Sequence, residues 1–370
     1  MLISRAERSV MLHPLWVRER STTAGSVDAT NRQRLVEPLD MPHGLAVVEA
    51  TPTSHGAIDV VFCDGHRMEL SATHVTTALG DRFADDPPAP EPWTACSAAC
   101  DGIETFDYRA LTDASTHDEA LLGILDAYFR RGWFLLSDTP PEAGALHEIT
   151  APFGRISATN FGTLFDVRTE PVPADLAYTP VALSAHTDQP YRRPAPALQF
   201  LHTIVNDAPG GASTVVDGLA AVEALAIADP EAFEVLTTLP IEFRYDIGTD
   251  VKTACAPLIE LHPDGALRQL RYSPRLDFAP ATDPEVLDIY YRGRRLLACM
   301  LNDTNRQAEV RMRAGDVIVV DNHRVLHGRT AFDPSRGSRH LQGCYIDHDG
   351  PETAWRLAMR RTAARRATQP

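Results

Sequence analysis

The stretch Ser184-Ala185-His186-Thr187-Asp188-Gln189, with Val325-Leu326-His327-Gly328-Arg329 far downstream, decides how this chain is built. Residues two apart on a strand point to the same side, so His186 and Asp188 can reach one metal ion. A histidine from a distant strand would complete two imidazoles and one carboxylate on one face of an octahedral ion. Three positions then stay open, the arrangement that suits a non-haem ferrous centre. An H-x-D triplet alone is weak evidence in a chain with 14 His, where a strand-end histidine bonded to a carboxylate is an ordinary origin. The later H-G-R adds weight. So does Arg339, which could pair with the far carboxylate of a keto acid through two parallel bonds. His323 and His327 are four apart and share a strand face, so spacing leaves both open as the second imidazole.

A length of 370 residues fits two domains, or one large domain with an appendage. No run of 18 apolar residues occurs, so no membrane span is expected. Arg5, Glu7 and Arg8 interrupt the first ten positions, so no secretory signal is expected, and scattered thiols read as reduced point to a cytoplasmic location. A net charge of −15 argues against nucleic acid as a partner and modestly favours a cationic small molecule. The cysteines at 63, 96, 100, 255, 299 and 344 lack zinc-site spacing and are expected to be reduced and mostly core-filling.

Short apolar runs at Gly44–Ala50, Ile58–Cys63 and His74–Leu79 predict a small β-rich N-terminal domain over 1–82. The proline-rich run from Asp85 to Trp93 predicts an extended linker within 83–102. The remainder, 103–370, reads as one large domain. Apolar spacing predicts helices at Thr116–Arg131, Leu219–Leu239 and Pro284–Asn305, and strands at Gly132–Leu136, Leu198–Val205 and Asp316–Val320. Many strands, few long helices and metal ligands split between early and late strands predict a mainly β fold with flanking helices, a double-stranded β-helix or jelly roll.

A wider set of motifs carries a family resemblance. It comprises Thr159-Asn160-Phe161-Gly162, Phe165-Asp166-Val167, Tyr178-x7-His186-Thr-Asp188, Leu198-Gln-Phe-Leu-His202 and Gly210-Gly211-x-Ser213, then Asp321-Asn322-x-Arg324-x-Leu326-His327-Gly328-Arg329 and Arg339-His340-Leu341-x-Gly343. Together they resemble the γ-butyrobetaine and trimethyllysine hydroxylases, in the taurine-dioxygenase-like branch of the Fe(II)/2-oxoglutarate oxygenases. The likeness implies that His186, Asp188 and His327 hold Fe(II), and that Arg339 and Ser213 hold the far carboxylate of 2-oxoglutarate. Dioxygen would be the second cosubstrate, with ascorbate as a stimulant and a homodimer as the assembly. It further implies hydroxylation of an unactivated C–H in a small molecule, with release of succinate and CO2. Two other readings stay open: a tailoring oxygenase of a different small molecule, by hydroxylation, desaturation or oxidative cleavage, and a catalytically silent jelly roll that only binds.

The same likeness maps an aromatic cage for a quaternary ammonium group onto Phe161, Phe165, Tyr178 and Tyr345. Ring faces are the attraction available to a cation without N–H donors. Asp175 stands where the family has an asparagine, Gln189 replaces a tyrosine, and Val205 replaces a lysine. The last two positions bind the substrate carboxylate in the family. The cation end is thus kept and the anion end rebuilt or absent, with Arg192 and Arg193 as candidates for it. His13-Pro14-Leu15-Trp16-Val17-Arg18 and Gln33-Arg34-Leu35-Val36-x-Pro38-Leu39-Asp40 resemble the family's small appended domain. In many members a zinc-binding cysteine cluster lies between them. Here Ser21–Val27 has no cysteine, so no zinc is expected.

Overall fold

The computed structural model describes residues 1–5, 8–80, 85–95, 104–168 and 179–368. The chain divides into two compact units, Met1–Asp86 and Pro87–Pro370.

In the first unit β1 (Leu2–Arg5) pairs antiparallel with β2 (Arg8–Met11). β3 (Val47–Pro52), β4 (Ile58–Phe62) and β5 (Arg67–Leu70) form a three-stranded antiparallel sheet. Alternation along β4 and β5 buries Ile58, Val60, Phe62, Met68 and Leu70 against Ile3, Leu12 and Val17. The His74–Leu79 run corrects the strand reading: Ala72–Ala78 is a helix. Ser71 ends the preceding strand path and its hydroxyl accepts the His74 N–H at 3.3 Å, an N-cap that turns the chain into a helix. In Ser21–Val27 a chain of hydroxyls stands where the resemblance puts thiolates. Ser21 Oγ lies 2.9 Å from Thr23 Oγ1 and 3.0 Å from His66 Nε2, and Thr23 Oγ1 lies 3.0 Å from Ser26 Oγ. Neutral hydroxyls are poor zinc ligands beside thiolates. Purified protein should therefore hold no stoichiometric zinc by elemental analysis. The combined Ser21→Cys, Thr23→Cys, Ser26→Cys variant should gain one zinc with His66 as fourth ligand. Tight zinc in the wild type would show that other side chains supply the ligands.

The second unit opens with β6 (Thr105–Asp107), β7 (Trp133–Ser137), β8 (Ile156–Ser157) and β9 (Phe165–Arg168). β10 (Leu183–His186), β11 (Leu198–Asn206) and β12 (Ser213–Asp217) follow. An insert of helices and β13 (Ile241–Asp246), β14 (Val251–Ala256), β15 (Ile259–Leu261), β16 (Leu267–Leu270) and β17 (Asp277–Phe278) comes next. β18 (Ala308–Val310), β19 (Val317–Asp321), β20 (Val325–Arg329) and β21 (Arg339–Ile346) complete the strands. They build a seven-stranded sheet along β6-β7-β19-β11-β21-β8, with β9 also paired to β21, and a four-stranded sheet β10-β20-β12-β18. This is the jelly roll expected.

Period-two alternation explains the layers. Trp133, Leu135, Ile318 and Val320 of the large sheet meet Val215, Val310 and Val325 of the small one. Their neighbours Phe134, Leu136, Val317 and Val319 face the other way, onto Leu121, Ile124 and Leu125 of the helix His117–Arg131. On the outer face of the small sheet, Val216 and Leu326 pack under Val222, Leu225, Leu236 and Leu297.

The helix predicted over Leu219–Leu239 is two, Gly218–Ala228 and Pro230–Thr238. Pro230 has no N–H to continue the first, and the Asp229 carboxylate caps the second through Ala232 N at 3.0 Å. The proline-rich run differs from a free linker from Pro87 onward. Trp93 is buried against Trp133 with ring centroids 5.8 Å apart, and its backbone N–H donates to Asp217 Oδ2 at 2.9 Å. Asp217 in turn holds Arg324 at 2.9 Å, which donates to Glu91 O at 2.6 Å. Burying the indole and satisfying a buried carboxylate draw this segment onto the barrel. Among the described cysteines only Cys344 is buried, which corrects the core-filling expectation for Cys63, Cys255 and Cys299. The described residues include no helix long and apolar enough to cross a membrane.

Candidate active site

β10 and β20 run antiparallel with His186 opposite His327, so strand register alone brings the two imidazoles together. Their ring centroids are 4.5 Å apart. β10 ends at His186, so Asp188 lies just past the strand rather than on its face. The chain bends there, and Asp188 Oδ1 still comes to 3.5 Å from His186 Nε2 and 3.8 Å from His327 Nε2. Ligand atoms of these three residues lie within 4.8 Å of one another, and among the described residues no other such group of three forms. His186 Nδ1 is 2.9 Å from Ser184 O, which fixes the proton there and turns a lone pair on Nε2 inward. Burial pushes His327 down to about 4, so it is a neutral imidazole at pH 7. Burial opposes ionisation of Asp188. The facing His327 and His186 and the Tyr345 hydroxyl outweigh it and hold the carboxyl well below the usual range. Two imidazoles and a carboxylate are the donors a ferrous ion takes. His323, the alternative by spacing, turns away: its Nε2 is 3.0 Å from Ala195 O and its Nδ1 3.0 Å from His348 Nε2.

The other oxygen of Asp188 is held from the large sheet. Tyr345 OH donates to Oδ2 at 2.6 Å and Gln199 Nε2 at 2.5 Å. Gln199 and Tyr345 face one another across β11 and β21. The Asp188 backbone is clamped by the buried Asn322, which accepts from its N–H at 2.6 Å and donates to its carbonyl at 3.0 Å. With Oδ2 held, Oδ1 is turned to the imidazoles. Sequence reading placed Gln199 and Asn322 inside family motifs without giving them a role, and it gave Tyr345 to the cage alone. Removing the phenol hydroxyl should loosen the carboxylate. We expect Tyr345→Phe to weaken Co(II) binding about tenfold, measured by titration, within the range for lost outer-shell partners of metal ligands. Unchanged affinity would mean that Gln199 suffices.

Beyond the triad on one side is a cavity lined by Gln199, Ser213, Arg329, Arg339 and Leu341. Ser213 sits opposite Arg329 on the small sheet, and Arg339 opens β21 on the large one. Gly211, with φ +68°, makes room: a Cβ there would lie 3.0 Å from Arg339 Nε. Arg339 is buried, its Nε has no partner among the described residues, and burial and the charge of Arg329 lower it to about 10. Arg329 is lowered to about 10 by burial and donates to Thr179 O at 2.6 Å and Val181 O at 2.8 Å. Two buried guanidiniums whose own charges are disfavoured make a strong site for a dicarboxylate.

On the other side of the triad a second cavity is lined by Phe161, Phe165, Gln189, Tyr191, Arg275 and Tyr345 among others. Phe165 stacks on Tyr345 with centroids 5.3 Å apart and lies 6.4 Å from Phe161. A Cβ on Gly343 would reach within 2.4 Å of the Phe165 ring, so this glycine is what lets the ring lie flat on β21. Tyr191, stacked on Tyr245 at 4.9 Å, extends the aromatic wall. Neither tyrosine stood out in the sequence. Asp175 and Tyr178 lie outside the described residues. Val205 lines a separate cavity with Phe332 and His340. Arg192 donates to Ala158 O at 3.2 Å and Arg193 to Thr253 O at 3.4 Å.

Known proteins are similar to this chain. Residues 91–345 match the family described as taurine catabolism dioxygenase TauD, TfdA. The chain is similar to a γ-butyrobetaine dioxygenase of Pseudomonas sp. strain AK-1, 35% identical over 91% of this chain and 88% of that protein. It is also similar to dioxygenase str8 of Strobilurus tenacellus, 28% identical over 92% of this chain and 82% of that one. Its fold is shared with an asparagine oxygenase solved with Fe(II), 3-hydroxyasparagine and succinate, at TM-score 0.51 and 17% identity over 64% of this chain and 81% of that one. The chain belongs to the TauD, TfdA dioxygenase family.

Proposed function

We propose that the substrate is a small cationic amine or quaternary ammonium compound, bound against the aromatic wall and hydroxylated at an unactivated C–H. The chain is a 2-oxoglutarate-dependent dioxygenase. The observation that carries the substrate class is the wall of Phe161, Phe165, Tyr191 and Tyr345 in the cavity that shares His186 and Asp188 with the cosubstrate side. The name of the Pseudomonas relative, a γ-butyrobetaine dioxygenase, supports it.

Bound at His186, Asp188 and His327, Fe(II) with 2-oxoglutarate supplies the oxidising chemistry that makes succinate and CO2 and puts one oxygen atom into a C–H bond. The chain's residues bind and orient. Arg339 and Ser213 take the far carboxylate of 2-oxoglutarate, while Tyr345 and Gln199 keep Asp188 aimed. The rings hold the cation so that one C–H faces the metal side, and their bulk excludes water. The resemblance would add the Asp175 carboxylate to the cation's partners. Ring faces contribute about 1–2 kcal/mol, and a carboxylate about 4 Å from the cation adds roughly 1–4 kcal/mol, depending on remaining water.

Succinate formation should therefore rise with small trimethylammonium compounds and stay at background with their neutral isosteres. Asp175→Asn should raise the KM of the cation, more at low salt. An identified substrate with a neutral or purely anionic head would overturn the reading. The resemblance extends the proposal to stimulation by ascorbate, a homodimer and residues 1–82 as the family's appended domain, and the scattered thiols extend it to a cytoplasmic location.

A further inference from the structure

Where β16 ends, three consecutive residues of the insert each bond a different part of the chain around Asp188. Leu270 N–H donates to His323 O at 2.8 Å, in the turn whose Asn322 clamps the Asp188 backbone. Tyr272 O accepts from the Thr187 N–H at 2.7 Å, and its own N–H donates to Thr187 Oγ1 at 2.9 Å. Thr187 is the residue between His186 and Asp188. In the middle stands Arg271, whose Nη1 donates to Pro190 O at 2.8 Å and to Arg192 O at 3.3 Å. Those two carbonyls lie on either side of Tyr191, a ring of the aromatic wall.

Arg271 is itself firmly held. It is 8% exposed, its Nε donates to Glu260 Oε1 at 2.6 Å across the β15–β16 hairpin, and its backbone N–H donates to Leu258 O at 2.8 Å. The carboxylate matches the buried charge and turns the planar fork so that its other arm meets the two carbonyls. The chain from Thr187 to Arg192 lies outside every strand, so no sheet ladder holds it. Its backbone groups must find partners elsewhere, and those partners decide where the chain runs.

We propose that Arg271 is a positioning residue for the metal site: by gripping the Pro190 and Arg192 carbonyls it fixes the loop that carries Asp188 to the two imidazoles. The proposal rests on reading His186, Asp188 and His327 as the iron site. Arg271 lines neither the cosubstrate cavity nor the aromatic one, so it acts through the backbone it holds. Tyr345 and Gln199 aim the carboxylate group, whereas Arg271 sets the main chain from which that group projects. The insert is thereby part of the metal site although it supplies no ligand.

The test measures Co(II) affinity by titration and the visible absorption of the Co(II)-saturated protein in four forms of the full chain. They are the wild type, Arg271→Lys, Arg294→Lys and Asp188→Ala. Arg271→Lys keeps a positive charge for Glu260 and gives up the fork, so the chain should still fold. Arg294→Lys loosens a different buried pair of the same insert, with Asp277 at 2.5 Å, and Arg294 bonds to none of residues 187–192. Arg271→Lys should bind Co(II) about tenfold more weakly, within the range for lost outer-shell support of a metal ligand. Its absorption at saturation should also change in intensity, a mark of altered ligand geometry that a loss of stability would not leave. Arg294→Lys should match the wild type in both readouts, whatever its melting temperature. Wild-type affinity and absorption in Arg271→Lys, or an equal change in Arg294→Lys, would overturn the positioning role. Such a result with Co(II) binding lost in Asp188→Ala would leave the triad standing. Wild-type affinity in Asp188→Ala as well would overturn the metal reading together with it.

Discussion

Asp188→Ala should abolish succinate formation while the protein stays folded. Asp188 supplies the one anionic ligand of the triad and lies past the end of β10, outside the hydrophobic core. Its loss leaves Tyr345 OH and Gln199 Nε2 without their acceptor, a cost of about 1–3 kcal/mol for each buried donor left unmade. That is a sizeable part of ordinary stability and still less than the whole. Turnover should fall below detection because two imidazoles hold Fe(II) weakly. The measurement is succinate release from protein loaded with iron under anaerobic conditions, with circular dichroism as the folding control. Near-wild-type turnover in that preparation would sink the assignment of the triad.

The second large effect is expected at Arg339. Arg339→Ala should raise the KM for 2-oxoglutarate far more than the KM of the prime substrate. Truncating one partner of a charged, largely desolvated pair costs roughly 2–5 kcal/mol, about thirtyfold or more in apparent affinity. Arg339 lies with Ser213 on the cosubstrate side of the triad, in a cavity that Arg275 does not line. Arg329 is the neighbour that could take over, although it is already tied to the carbonyls of Thr179 and Val181. An unchanged KM for 2-oxoglutarate would give the cosubstrate to Arg329 or to Arg336.

The parts of the site legible in the sequence are those set by strand periodicity and by strongly typed chemistry. His186, Asp188, His327 and Arg339 are residue types that few other needs would place in that order, and the unbroken apolar runs of β7 and β19 mark strands buried on both faces. The residues that aim the carboxylate were not legible. Gln199 and Asn322 are polar side chains whose importance comes from meeting Asp188, 134 positions from Asn322 and 11 from Gln199, in a geometry only the folded barrel supplies. The aromatic wall shows the same limit. Phe161 and Phe165 lie near the barrel strands in sequence, whereas Tyr245 and Arg275 arrive from the insert around β13–β17, whose packing no local pattern foretells. Helix boundaries failed where one residue overrode periodicity, as Pro230 does after Asp229.

Phe165 has one further consequence. Its ring lies flat over Gly343 and borders both cavities, the one with Arg339 and the one with Arg275. With Val167, His186 and Asp188 it makes the wall common to the two chambers, so an occupant of either packs against a surface of the other. Their affinities are then tied by one coupling free energy, and the tie is reciprocal: by whatever factor 2-oxoglutarate sharpens the grip on the prime substrate, the prime substrate sharpens the grip on 2-oxoglutarate. Thickening the floor under that ring, as Gly343→Ala would, changes both grips at once without touching a ligand of the metal.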